Sequence, residues 1–121
     1  MKINATQAPQ IRAELGDMAR GTEAGGQVMS LMSLPDGTDF CQLLKGLPHD
    51  HCQCPHWGYL LKGEIIVDYQ DGQRETVVAG DLYYWPPGHT IKVAGDTQYV
   101  EFSPADEMSD LLDHVISKMG D

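Results

Sequence analysis

Basic residues are scarce in this chain. Eight lysines and arginines stand against eighteen aspartates and glutamates, a net charge of −10 over 121 residues. A surface this negative repels phosphate backbones and anionic lipid, which argues against nucleic acid or a membrane surface as partner. Long apolar runs are lacking too, since none approaches the roughly 20 residues of a membrane span. Met1–Thr6 holds no apolar stretch of signal-peptide type, so a cytoplasmic location is expected. There the glycosylation sequon Asn4-Ala5-Thr6 would be idle. Cysteine is sparse and odd in number, with three in the chain, which fits a reducing compartment better than a disulfide framework. Cys52 and Cys54 are poorly placed to bridge each other: alternate positions of a strand hold their Cα atoms about 6–7 Å apart, near the outer limit of disulfide geometry.

What the sequence does hold is a run of short apolar segments broken by turn residues. Gln27–Leu34 ends at Pro35-Asp36-Gly37, and Asp39–Lys45 and Trp57–Leu61 follow. Lys62-Gly63 reads as a turn before Glu64–Gln70, and Asp71-Gly72 is a hairpin signal before Gln73–Val78. Ala79-Gly80-Asp81 and Pro86-Pro87-Gly88 bracket Leu82–Trp85, and Thr90–Ala94, Gly95-Asp96 and Thr97–Phe102 complete the series. Strands this short at this spacing predict an antiparallel sandwich or barrel. At 121 residues the chain is one domain, read as an N-terminal arm over 1–26, a β-barrel over 27–103 and a C-terminal helix over 104–121. In the arm, 8–19 carries a short helix or an irregular segment. In the C-terminal piece Ser103 is placed to cap, Pro104 suits the first helical position, and Asp106 and Glu107 favour the positive end of the dipole. Met108, Leu111, Leu112, Val115 and Met119 then form an apolar stripe ended by Gly120. His114 reads as an ordinary, partly exposed residue of this helix.

The chemistry gathers in two stretches. Residues 46–58 contain His49, His51 and His56 with Cys52 and Cys54, and His89 follows Pro86-Pro87-Gly88. Imidazole and thiolate are the side chains that hold transition metals at neutral pH. On a strand His49 and His51 would point the same way. Gly58 leaves room beside His56, and the proline turn can hold His89 rigidly. Cys52 and Cys54 are small buried hydrophobes by default, with Cys54 kept open as a ligand. Glu101, on a late strand, is expected to face solvent; turned inward it would be an acid or base.

The two stretches resemble the motifs of the cupin superfamily. The first motif is a glycine, several residues, His-x-His, three or four residues, a glutamate, six residues and a glycine. Here His49-x-His51 is followed by four residues, His56 in the glutamate position, and six residues to Gly63. The second motif, a glycine, five residues, Pro-x-Gly, two residues and a histidine, is met by Gly80, Pro86 and Gly88, with Ile91 in the histidine position. Pro55-His56-Trp57-Gly58-Tyr59 together with Trp85-Pro86-Pro87-Gly88-His89 is similar to a subgroup of small single-domain cupins of largely unassigned activity. The resemblance covers roughly 41 to 102.

The resemblance implies an all-β, single-domain cupin jelly-roll barrel with a C-terminal helix, forming a homodimer, with one metal or small-molecule site inside. Its ligand set would be His49, His51, His56 and His89, the last filling the gap left by Ile91. A histidine site of this kind suits zinc, iron(II) or copper more than magnesium or calcium. Three function classes follow. One is a metal-dependent enzyme of dioxygenase, isomerase or lyase type acting on a small organic substrate. A second is a non-catalytic binding or sensing domain for a small molecule or metal. The third is a metal-free structural barrel.

Overall fold

The computed structural model describes residues 1–120. Six strands form one antiparallel sheet that curls into a barrel: β1 (Ala19–Ala24), β2 (Gln27–Leu34), β3 (His56–Tyr69), β4 (Arg74–Val78), β5 (Leu82–Trp85) and β6 (His89–Pro104). An α-helix, α1 (Ala105–Met119), follows. The strand order is β1-β2-β6-β3-β4, and β5 pairs with β3 beside β4. The expected all-β barrel with a C-terminal helix is the architecture observed.

Several elements differ in detail from the sequence reading. Lys62-Gly63 and Gly95-Asp96 do not reverse the chain. Each lies inside a long strand, and the β3–β6 pairing runs from Trp57↔Phe102 to Tyr69↔His89 with register shifts around Lys62. Gly63 makes this possible. It sits at φ +87°, and a Cβ there would lie 2.2 Å from Thr97 Oγ1, so a glycine lets two bulged strands cross closely. Residues 39–45 are turns rather than a strand, because Asp39 Oδ1 accepts the Cys41 amide at 2.9 Å and the Leu44 amide reaches back to the Phe40 carbonyl at 3.1 Å. Within the expected arm, Ala19–Ala24 pairs with β2 through a tight turn at Gly25-Gly26, both at positive φ. Only Ala13–Met18 is helical there, as a 3₁₀ segment.

The core lies inside the barrel and beneath α1. Leu60, Ile65 and Val67 of β3, Val93 and Tyr99 of β6, and Met32 and Leu34 of β2 fill it. From the helix, Met108, Leu112 and Val115 are buried, as the apolar stripe requires. Pro104 rather than Ser103 sits at the N-cap, one residue later than expected. Two polar ties hold the helix in place: Arg12 donates to Asp113 Oδ1 at 2.5 Å and Ser109 Oγ at 2.9 Å, and His114 Nε2–H donates to the Lys45 carbonyl at 2.8 Å.

Candidate metal site

The inner ends of β3, β5 and β6 meet at one end of the barrel. In register, His56 lies opposite Trp85 and Gly58 opposite Tyr83, while Gly58 also faces Glu101 and Leu60 faces Tyr99. Partners in an antiparallel pair point to the same face, so these side chains share the interior. The loop before β3 adds Cys52. Its amide donates to the His89 carbonyl at 2.7 Å, and the Gly88 amide donates to the Cys52 carbonyl at 2.7 Å. That bridge places Cys52 against the turn that carries His89.

Cys52, His56 and His89 are all buried, and one ligand atom from each lies within 4.8 Å of the others. Backbone and hydroxyl partners orient both rings. His89 Nδ1–H donates to the Pro86 carbonyl at 2.7 Å, which leaves Nε2 with its lone pair. His56 Nδ1 is bonded to Ser103 Oγ at 2.6 Å, and its Nε2 lies 3.6 Å from Cys52 Sγ. An outer partner that fixes the tautomer of each imidazole is the usual accompaniment of a metal-ligating histidine. A transition-metal ion bound at about 2.0–2.3 Å to each ligand needs only a small closure of this triangle. One thiolate and two imidazoles suit zinc, copper or iron(II). The residues present fit the ion.

His49 and His51 lie outside this cluster. Pro48–Asp50 is a 3₁₀ turn in which His49 and Asp50 take φ values of 56° and 58°, so the two-residue alternation of a strand does not apply there. His49 is exposed, and His51 Nδ1–H donates to the His49 carbonyl at 2.5 Å. Of the four histidines, the structure brings His56 and His89 together, with Cys52 as the third member of the cluster. The signal for Cys52 was in the motif. A three-residue spacer before His56, in place of four, puts Asp50 and Cys52 in the His-x-His positions. Cys54 is buried among core side chains and its Sγ donates to the Pro55 carbonyl.

Glu101 also differs from expectation. It is 3 % exposed, and Oε1 accepts the Tyr83 hydroxyl at 3.0 Å. Its Oε2 lies 3.6 Å from His56 Nδ1, yet the two do not form an ion pair. Burial pushes the carboxyl up to about 8, and burial, reinforced by His89, holds His56 well below the usual imidazole range. Both are neutral at pH 7 in the metal-free chain. Burial likewise takes His89 down to about 4 and the Cys52 thiol up to about 12. Charge would enter this pocket only with a cation.

The cluster opens on a cavity of about 160 Å³. Trp85, Ile91, Tyr99 and Glu101 line it from the barrel, Phe40 and Leu44 from the connecting loop, and Met108 and Leu112 from α1. Were an ion held by these three residues, this space is where a ligand molecule would reach it.

Comparison with known proteins agrees with this fold. The family model of the cupin domain matches residues 31–102. No curated protein matches the sequence. Among solved structures, a cupin superfamily protein from Desulfitobacterium hafniense is 18% identical, with a TM-score of 0.58 over 84% of this chain and 98% of that one. A protein from Neisseria meningitidis is 13% identical, with a TM-score of 0.54 over 86% and 99%. An oxalate decarboxylase from Bacillus subtilis is 20% identical, with a TM-score of 0.53 over 71% of this chain and 24% of that one. At these identities the likeness is one of fold.

Proposed function

Since the chain belongs to the cupin domain family, we propose that it is a small metal-dependent protein that takes a small organic molecule into its barrel. The observation that carries this reading is the convergence of Cys52 Sγ and two oriented imidazoles at the base of an apolar cavity. Zinc, iron(II) or copper held there would polarise a donor atom of the bound molecule. Glu101 lines the same cavity and is the group placed to give or take a proton, which favours an enzyme of lyase, isomerase or dioxygenase type over a passive binder. A cytoplasmic location suits the three free cysteines. Among the described residues no helix is long and apolar enough to cross a membrane.

Metal titration of protein purified without a histidine tag tests the reading. The wild type is expected to take up one equivalent. Ser103→Ala, which frees His56 Nδ1, is expected to weaken binding about 10–100-fold. Cys52→Ser, His56→Ala and His89→Ala cost more than that, and His49→Ala and His51→Ala cost nothing measurable. Metal content well below one equivalent, unchanged by the Cys52 and His56 substitutions, ends the metal reading. Loss on His49→Ala or His51→Ala returns the ligand set to the histidine-rich loop.

The same reading includes a homodimer, and the sheet offers a face for it. Two rows run in register across the outside: Met29–Phe102–Trp57–Tyr84 and Leu31–Val100–Tyr59–Leu82. Neither row holds a charged side chain. Trp57, Tyr84 and Leu82 are 43%, 49% and 83% exposed, and with Tyr59 and Phe102 the exposed apolar area comes to roughly 500 Å² at about 100 Å² per half-exposed large side chain. That is large for a monomer surface and approaches the roughly 800 Å² per partner of a standard interface. Two copies that each carry −10 can approach closely only by a charge-free face, and a second copy is the occupant this supports. Sedimentation equilibrium is expected to give twice the 13.3 kDa chain mass, and Tyr59→Lys with Leu82→Lys to give the monomer with metal content unchanged. A wild-type monomer, or a dimer that survives both lysines, rules out this face.

A further inference from the structure

The walls of the cavity say more about its ligand than the metal cluster does. No lysine or arginine is among the described residues that line it. The ionisable groups among them are Cys52, His56, His89, Tyr99 and Glu101, and they gather on the strands and loop at the cluster end. The opposite wall is made by α1 and is aliphatic throughout, with Met108, Leu112 and Val115 among its members. In the metal-free chain an anionic ligand entering here would find no lysine or arginine to replace its lost hydration. Desolvating a charge without a partner is among the most costly steps available. A neutral molecule has no such cost.

Size narrows the class. A cavity of about 160 Å³ matches the scale at which an apolar protein cavity accepts a benzene-sized guest. Polar capacity for one head group lies at the cluster end, where Cys52, His56, His89 and Glu101 stand in an otherwise largely apolar wall; the unpartnered Trp85 Nε1 and Thr90 Oγ1 are sealed from the cavity.

We propose that the cavity takes an uncharged, one-ring-sized apolar molecule carrying a single oxygen-bearing polar group, and that it discriminates against carboxylates. The orientation, polar group toward Cys52, His56 and His89, rests on the metal reading above; the size and neutrality rest on the walls alone. Small dicarboxylates of the oxalate type fall outside this class, although the oxalate decarboxylase shares the fold.

Isothermal titration of zinc-treated and of metal-free protein with benzyl alcohol, the near-isosteric benzoate, and oxalate tests the inference. Benzyl alcohol is expected to bind both forms and, in the metal-free form where no cation offsets a carboxylate, to exceed benzoate by about tenfold or more because only benzoate must shed a charge. Oxalate is expected to give no heat with the metal-free protein. Ile91→Phe and Leu112→Phe each fill part of the cavity and are expected to weaken the alcohol at least as strongly, with circular dichroism reporting which variant keeps the wild-type fold. Benzoate or oxalate binding the metal-free protein as tightly as the alcohol overturns the inference, as does a folded filled variant with wild-type affinity. A chain that takes no zinc yet still prefers the alcohol overturns the metal reading and supports this one.

Discussion

Glu101→Gln is expected to make the metal-free protein more stable at alkaline pH, and by the largest margin of any single substitution at the site. Burial raises the Glu101 carboxyl from 4.5 to about 8, so between those values the folded chain holds a proton that the unfolded chain has released. Stability from this group is therefore complete below pH 4.5, falls as the pH climbs, and is lost above pH 8. Each tenfold change in proton affinity is worth about 1.4 kcal/mol, which puts the full loss on the order of 3–5 kcal/mol. The two imidazoles act in the opposite sense. His56 and His89 are held below 6.5, so their contribution is present above pH 6.5 and is lost as the pH falls toward 4. Two histidines outweigh one carboxyl below pH 6.5, and the carboxyl acts alone above it, which places the stability maximum of the metal-free chain near pH 6.5. The raised thiol of Cys52 operates only above pH 9. Urea midpoints of wild type and Glu101→Gln at pH 6, 7, 8 and 9 check this. Glutamine keeps an acceptor for the Tyr83 hydroxyl, so the curves are expected to part steadily from about pH 5 up to pH 8 and to run parallel above it. Parallel decline of both proteins would show that Glu101 ionises in the fold at its ordinary value.

How much of this was legible in the sequence follows from what each signal encodes. Turn residues encode chain reversal well, and most of the strands from β2 onward, the hairpin at Asp71-Gly72 and the proline turn before His89 were readable. The glycines at 63 and 95 misled because a bulge and a turn use the same residue for the same backbone freedom, and only the partner strand decides between them. The framework residues Gly63, Gly80, Pro86 and Gly88 were enough to identify the barrel. The ligands were less legible. The motif allows a spacer of three or four residues before His56, and choosing four selected His49 and His51 because they are histidines. A spacer of three would put Cys52 there instead, the residue whose backbone bridges to His89.

The position of Glu101 was hidden by an inverted pattern. Along β6 the polar Glu101 and Ser103 point inward while Val100 and Phe102 point outward. β3 does the same, with His56 inside and Trp57 and Tyr59 outside. A strand that is polar within and apolar without contradicts the ordinary rule for a half-buried sheet. It does so where the interior holds a site and the exterior an exposed apolar face. The inversion was in the sequence, at the segment flanked by the motif residues, and it marks both surfaces together.

Gly58 carries the second large effect, because the site depends on a side chain that is missing there. The space beside His56 is not empty. A Cβ added at Gly58 would lie 2.3 Å from Tyr83 Oη and 2.4 Å from the Val100 carbonyl oxygen. The tyrosine ring cannot move freely, since it stacks on Trp85 with centroids 3.9 Å apart and donates to Glu101. The carbonyl cannot move without opening the β3–β6 pairing at Tyr59↔Val100. Overpacking a core typically costs about 1–3 kcal/mol, and contact with backbone on one side and a held ring on the other puts Gly58→Ala at about 3 kcal/mol or more. Gly120→Ala is the matched control, since its φ of −84° is ordinary and its Cβ would meet nothing closer than 3.8 Å. Denaturant unfolding is expected to show little change for the control and a lowered midpoint for Gly58→Ala. Pairing Gly58→Ala with Tyr83→Leu, which removes both the hydroxyl and the Cζ carbon that the new methyl would strike at 2.3 and 2.4 Å, is expected to cost less than Gly58→Ala does alone, measured against Tyr83→Leu, and to leave the part owed to the Val100 carbonyl. A cost below about 1 kcal/mol for Gly58→Ala, the lower end of the overpacking range, would mean that Tyr83 swings away without penalty, and the Tyr83–Glu101 bond would then not fix the carboxyl in the cavity wall.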